Sequence, residues 1–146
     1  MNHTFICQEG QWTGKGFYII DDGRKIPCES TISTTHQTGK WYHESTMELS
    51  LEDKIFEIQN ICEIIPFATG IDFTTWESKT AEMGILLGEF VIVHDSILSL
   101  CTSRDSAFQG TEIFFKKDGI SYKNRGVLVR RRKKVSSWTM ELTRTV

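Results

Sequence analysis

"GQWTGKGFYII", residues 10–20, decides how this chain is read. Three glycines, Gly10, Gly14 and Gly16, surround Trp12, and the stretch then runs into aromatic and β-branched residues. Glycine weakens a strand, so three of them need a reason. No helix signal follows, which excludes a phosphate-cradling loop. In a strand the side chains alternate, so Gly14 and Gly16 share a face with Trp12 and Tyr18. Two missing side chains on one face let a strand bend sharply or let neighbours approach closely, as a closing barrel demands.

The rest of the chain supports that reading. β-rich runs fall near 11–20, 24–36, 40–50, 54–65, 71–78, 85–94, 97–103, 111–117, 120–125, 127–134 and 137–145. Between them lie turn signals: "DDG" at 21–23, "TGK" at 38–40, "ED" at 52–53, "ATG" at 68–70, "AEMG" at 81–84, "SRDSA" at 103–107 and "KDG" at 117–119. The stretch "KIFEIQNICEII" alternates, with Phe56, Ile58, Asn60, Cys62 and Ile64 on one face, and is read as strand rather than helix. Short connections throughout point to an antiparallel meander, and a meander of about ten strands removes its edges by closing. The expectation is an all-β, up-and-down barrel forming one domain over residues 1–146.

Composition excludes several classes. At 146 residues with 39% hydrophobic and 11% aromatic content, one core is enough. A formal net charge of −2 gives no global attraction to nucleic acid or anionic membrane. No apolar run approaches the ~20 residues of a membrane span. "MNHTFICQEG" has neither a basic start nor a long apolar stretch, so no secretory signal is read and a cytoplasmic location is expected. Cys7, Cys28, Cys62 and Cys101 are too widely spaced for a CxxC site and are expected to be reduced.

The opening motif resembles the calycin superfamily of lipocalins and fatty-acid-binding proteins. "GQWTGKGF" is most similar to nitrobindin-type and related bacterial lipocalin-like barrels, through Gly10, Trp12, Gly14 and Gly16 in the pattern G-x-W-x-G-x-G. The resemblance implies a lipocalin-like barrel closed at one end by Trp12, beneath Arg144 of the last strand. Two departures limit it. "DDGRKIPCE" leaves no room for the helix pair of fatty-acid-binding proteins, and no histidine follows His94 to ligate haem. No cofactor is therefore expected.

Alternation sorts candidate site residues. Trp41, His43, Ser45, Met47 and Leu49 share one face, the expected interior. Glu89 is a carboxylate among Leu87, Val91 and Val93, on an apolar face. Interior faces that mix polar and aromatic residues suit a barrel holding a small ligand. His36 and His94 fall at strand ends, and the scattered histidines suggest no metal site. "RRRKK", Arg130 to Lys134, reads as a solvated hairpin tip from which Arg132 could recruit an anion. Three functional readings follow. The first is non-covalent binding of a small hydrophobic or amphipathic molecule by Trp41, His43, Trp76, Glu89 and Arg132. The second is an isomerase or cyclase using His43 or Glu89 for proton transfer. The third is a solid barrel whose outer face makes a homodimer.

Overall fold

A computed structural model describes residues 2–146. Ten antiparallel strands follow one another: β1 Gly10–Ile20, β2 Lys25–Gln37, β3 Lys40–Leu51, β4 Lys54–Ile64, β5 Phe73–Thr80, β6 Gly84–Val93, β7 Ser96–Ser103, β8 Phe108–Asp118, β9 Ser121–Arg130 and β10 Lys133–Arg144. Each pairs with its sequence neighbour, and β1 pairs with β10, so the sheet closes into a barrel. No helix occurs among the described residues, and hence none long and apolar enough to cross a membrane.

The stretch 120–134, read from sequence as two strands split at Gly126, is one strand, a turn at 131–132 and the first two residues of β10. Gly126 is no break. Its missing Cβ leaves room for the Trp138 indole of the neighbouring strand, 2.1 Å from where that Cβ would stand. The chain reverses instead at Arg131 and Arg132, with φ of 48° and 70°. Glu52 and Asp53 do the same between β3 and β4, at 50° and 61°. Two successive positive φ values mark the primed turns that match the twist of a hairpin. The basic stretch is therefore a hairpin tip, with Arg131 to Lys134 exposed.

Register explains the glycines of β1. Gly16 lies between Met140 of β10 and Cys28 of β2. A Cβ on Gly16 would stand 1.8 Å from the Thr139 carbonyl oxygen, so β10 passes where a side chain would be. A Cβ on Gly14 would crowd the ends of Leu142 and Met140, at 2.8 and 2.9 Å, and touch Ser30 Cβ at an ordinary 3.5 Å.

One end of the barrel is plugged by the residues before β1. Phe5 is fully buried there, with ring centroids 5.2 Å from Trp12, 5.3 Å from His43, 4.7 Å from Phe114 and 5.5 Å from Tyr122. A set of hydrogen bonds holds the segment, among them Thr4 Oγ1 donating to the Gly119 carbonyl (2.9 Å). His3 Nε2 donates to the His94 carbonyl (2.8 Å), so His3 Nδ1 accepts from the Tyr122 hydroxyl (2.8 Å). Thr4 N–H donates to Tyr122 Oη (3.1 Å), and His36 Nε2 donates to the Ile6 carbonyl (2.9 Å). His36 is thus half-buried, stacked on Trp41 at 3.8 Å, rather than a free strand end.

The four cysteines are free, and burial raises the thiol pKa of Cys28 to about 11 and of Cys62 to about 12. Gly16→Ala should destabilise the barrel by about 3 kcal/mol or more, because backbone must move, whereas Gly14→Ala should cost about 1 kcal/mol, because side-chain ends can rotate. Urea denaturation of both variants checks the order; equal losses would remove the close-approach explanation.

Candidate functional site

The plug fills one end of the barrel, and towards the other end the interior is hollow. A cavity of about 1050 Å³ is lined by Met47 of β3, Asn60 of β4, Trp76 of β5, Leu86 of β6, Glu112 of β8 and Trp138 of β10, among others. No residue of β2 lines it, so it sits to one side, towards β4 and β5.

Cross-strand register builds its wall in rows. Trp76, Gly88, Cys101, Gly110, Leu128 and Ser136 are successive neighbours in one row. Phe90, Ser99, Glu112, Gly126 and Trp138 form the next. In each row a tryptophan lies across the glycine of the adjacent strand. A Cβ on Gly88 would stand 2.1 Å from Trp76 Cε2, as one on Gly126 would from Trp138 Cε2. Small residues here thus seat large indoles.

Glu112 is the polar centre. Its Oε1 accepts from Trp138 Nε1 (2.9 Å) and from Asn124 Nδ2 (3.0 Å). Among the described residues, no protein donor bonds its Oε2. Desolvation raises the pKa of its carboxyl above the ordinary range, and the two hydrogen bonds oppose that rise. Two further polar atoms at the cavity, Trp76 Nε1 and Ser136 Oγ, are buried without a hydrogen-bond partner. Such atoms cost about 1–3 kcal/mol each when nothing meets them.

The structure separates the residues read from sequence as one site. Trp76 lines the cavity. His43 does not: it is buried in the plugged end, edge-on to Phe5, and its Nδ1 bonds Thr34 Oγ1 at 3.0 Å. Trp41 stacks on His36 towards the same end, 6.1 Å from Phe67. Glu89 faces outward beside Lys40, Glu63 and Glu77, in a groove on the outer wall. Its strand, GILLGEFVIV, is apolar on both faces, and the inner one is Leu86, Gly88, Phe90 and Ile92. Arg132 is exposed in the turn after β9, at the hollow end. Trp12 is buried against Phe5 and Tyr122. Arg144 is its cross-strand neighbour, but the guanidinium donates to Gln8 Oε1 (3.0 Å) and to the carbonyls of Glu9 (2.7 Å) and Val146 (3.1 Å). It ties the two chain ends together.

Among the described residues no three His, Cys, Asp or Glu side chains converge as a metal site would require. Proton transfer at the cavity falls within reach of Glu112, not of His43 or Glu89.

A buried histidine and the desolvated carboxyl of half-buried Glu112 set opposite pH responses. Desolvation lowers the His43 pKa from 6.5 to about 4. The unfolded chain then binds a proton that the folded chain refuses, so stability falls as pH drops from 6.5 towards about 4. Glu112 works in the other direction. Its contribution is complete below the ordinary carboxylate pKa and is lost as pH rises through the raised one. Glu112→Gln should remove that loss, leaving the variant less sensitive to rising pH than the parent in urea titrations. The His43 imidazole protons should not titrate by NMR above about pH 5.5; a midpoint near 6.5 would contradict this burial.

No known sequence family and no curated protein matches the chain. The fold is similar to that of an S-type phycobiliprotein lyase, CPES, from Guillardia theta: TM-score 0.68 and 8% identity, over 96% of this chain and 89% of that one. Looser overlaps are found with an AttH protein from Nitrosomonas europaea (TM-score 0.33, 11% identity, 92% of this chain, 49% of that one). An N-terminal dehydratase from the difficidin assembly line overlaps at TM-score 0.28 and 8% identity, over 97% and 80%. Neither carries an argument. The CPES likeness shows the fold alone, in keeping with the expected closed antiparallel barrel, and nothing in it points to nitrobindin in particular.

Proposed function

We propose that the chain binds a small, partly apolar molecule non-covalently in the hollow half of its barrel. One observation carries this reading: the unpartnered buried Trp76 Nε1 and Ser136 Oγ border a cavity of about 1050 Å³. Ligands gain from apolar walls and take their orientation from a few polar groups. The indoles of Trp76 and Trp138 offer flat surfaces, and Glu112 offers an acceptor. These features favour a flat, conjugated molecule with N–H donors that bond Glu112. The likeness to a phycobiliprotein lyase supports the same class, and a bilin is the member it suggests.

The test uses the neutral fluorophore N-phenyl-1-naphthylamine, with biliverdin as competitor. The probe should brighten on binding, and biliverdin should displace it. Leu128→Trp, which fills the cavity wall, should weaken probe binding by about tenfold, or 1.4 kcal/mol. Undiminished binding by a correctly folded Leu128→Trp variant would place the probe elsewhere.

Self-association is a second reading, favoured by the outer wall. Phe73, Val91, Leu98 and Ile113 are successive cross-strand neighbours there, flanked by exposed Leu100 and Phe115. A continuous apolar sheet face marks an interaction surface. Exposed Arg125 ends this row, and Glu89 lies in the adjoining row with Leu100. A twofold axis through the face brings Arg125 of one copy towards Glu89 of the other, so the partner is a second copy of this chain. Sedimentation should show a dimer that Leu98→Lys dissociates; a monomer at all concentrations would remove the reading.

A further inference from the structure

β4 and β5 share only three registered pairs, Cys62–Ser78, Glu63–Glu77 and Ile64–Trp76, and just past β4 the Ile65 N–H donates to the Thr75 carbonyl (3.0 Å). On its other side β4 pairs with β3 over its whole length, from Lys54 to Ile64. Residues 54–61 therefore have no strand partner on the β5 side, and the barrel wall is split there. Side-chain exposure marks the split. Phe56 and Ile58 have inward parity yet are 50% and 40% exposed, whereas Cys28 and Ser30, in the same cross-strand rows, are 3% and 6% exposed.

The cavity runs through this seam. Gln59 and Ile61 of β4 and Lys79 of β5 point outward, alternating with inward Asn60 and Ser78, yet all five border the same continuous space. Residues of the two lips, 57–63 and 76–83, supply more than half of the lining. At the foot of the seam, Ser78 Oγ donates to Asn60 Oδ1, just beyond the last registered pair. The lips are apolar at Ile58, Ile61 and Met83 and carry Glu57, Glu82 and Lys79.

We propose that the seam between β4 and β5 is the ligand portal: a flat, partly apolar molecule enters sideways, edge-on between the strands. This rests on the cavity being a binding site. Sideways entry suits a closed barrel because it disturbs no registered pair. The plugged end would have to expel Phe5, with its four aromatic neighbours.

The test stitches the seam. Gln59 and Ala81 border the cavity from opposite lips, at positions that continue the β4–β5 register. In Gln59→Cys/Ala81→Cys, oxidation closes the seam and reduction reopens it, so one protein serves as its own folding control. Stopped-flow mixing with N-phenyl-1-naphthylamine reads the rates. The oxidised form should load and release the probe at least about tenfold more slowly than the reduced form. Where no disulfide forms, Gln59→His/Ala81→His closed by zinc and reopened by EDTA gives the same comparison. Equal rates in the closed and open forms would overturn the portal while leaving the cavity reading intact. Failure of the parent chain to bind any probe would instead remove the cavity reading, and the portal with it.

Discussion

Everything in this barrel depends on how closely β1 and β10 approach. Nine register pairs join them, from Trp12–Arg144 to Ile20–Ser136, and they turn a ten-strand ribbon into a ring. At Gly16 the approach is so tight that the Thr139 carbonyl occupies the place of a side chain. Closure satisfies the backbone groups of both terminal strands, which would otherwise be open edges. It also brings the two chain ends together, where Arg144 ties residues 8 and 9 to residue 146.

The interior divides along the barrel axis. Towards one end, Trp12 and His43 meet Phe5 edge to face while Phe114 and Tyr122 lie tilted against it, and buried polar groups such as His3, Tyr122 and Thr34 find partners inside the protein. Towards the other, two indoles stand over glycines, and Trp76 Nε1 and Ser136 Oγ, like Trp12 Nε1 in the plug, have no partner, but here they face open volume. The first arrangement resists change, since each ring braces the others. The second has free volume and unmet hydrogen-bonding capacity. Stability and recognition thus occupy different halves of one continuous sheet.

Much of the architecture was legible in the sequence. Alternation, Asp-Gly turns and the glycines of the first strand carried the barrel, because local pattern and global fold agree there. The site was much less legible. Alternation identifies the inner face only when the two faces differ, and GILLGEFVIV is apolar on both, so Glu89 could be taken for an interior carboxylate. Glu112 sits in TEIFFK, where Phe114 points inward and Ile113 and Phe115 outward, so contrast fails again. Only the register linking Glu112 to Gly126 and Trp138 reveals it. His43 was placed on the correct face, but parity says nothing about height along the barrel, and its height puts it in the plug. The gap beside β4 left no trace in sequence because it is a pairing that is missing.

The tryptophans lying across glycines have a spectroscopic consequence. An indole held flat against bare backbone, with its other face towards the cavity, is a fixed light source aimed at whatever enters. Trp76 and Trp138 stand in adjoining rows of the same chamber, so any guest that absorbs in the near ultraviolet would draw excitation energy from both. Trp12 and Trp41, at the plugged end, do not line the chamber, so they would lose less of their emission to the same guest. The chain thus carries its own optical ruler, able to report the colour of a guest as well as its arrival.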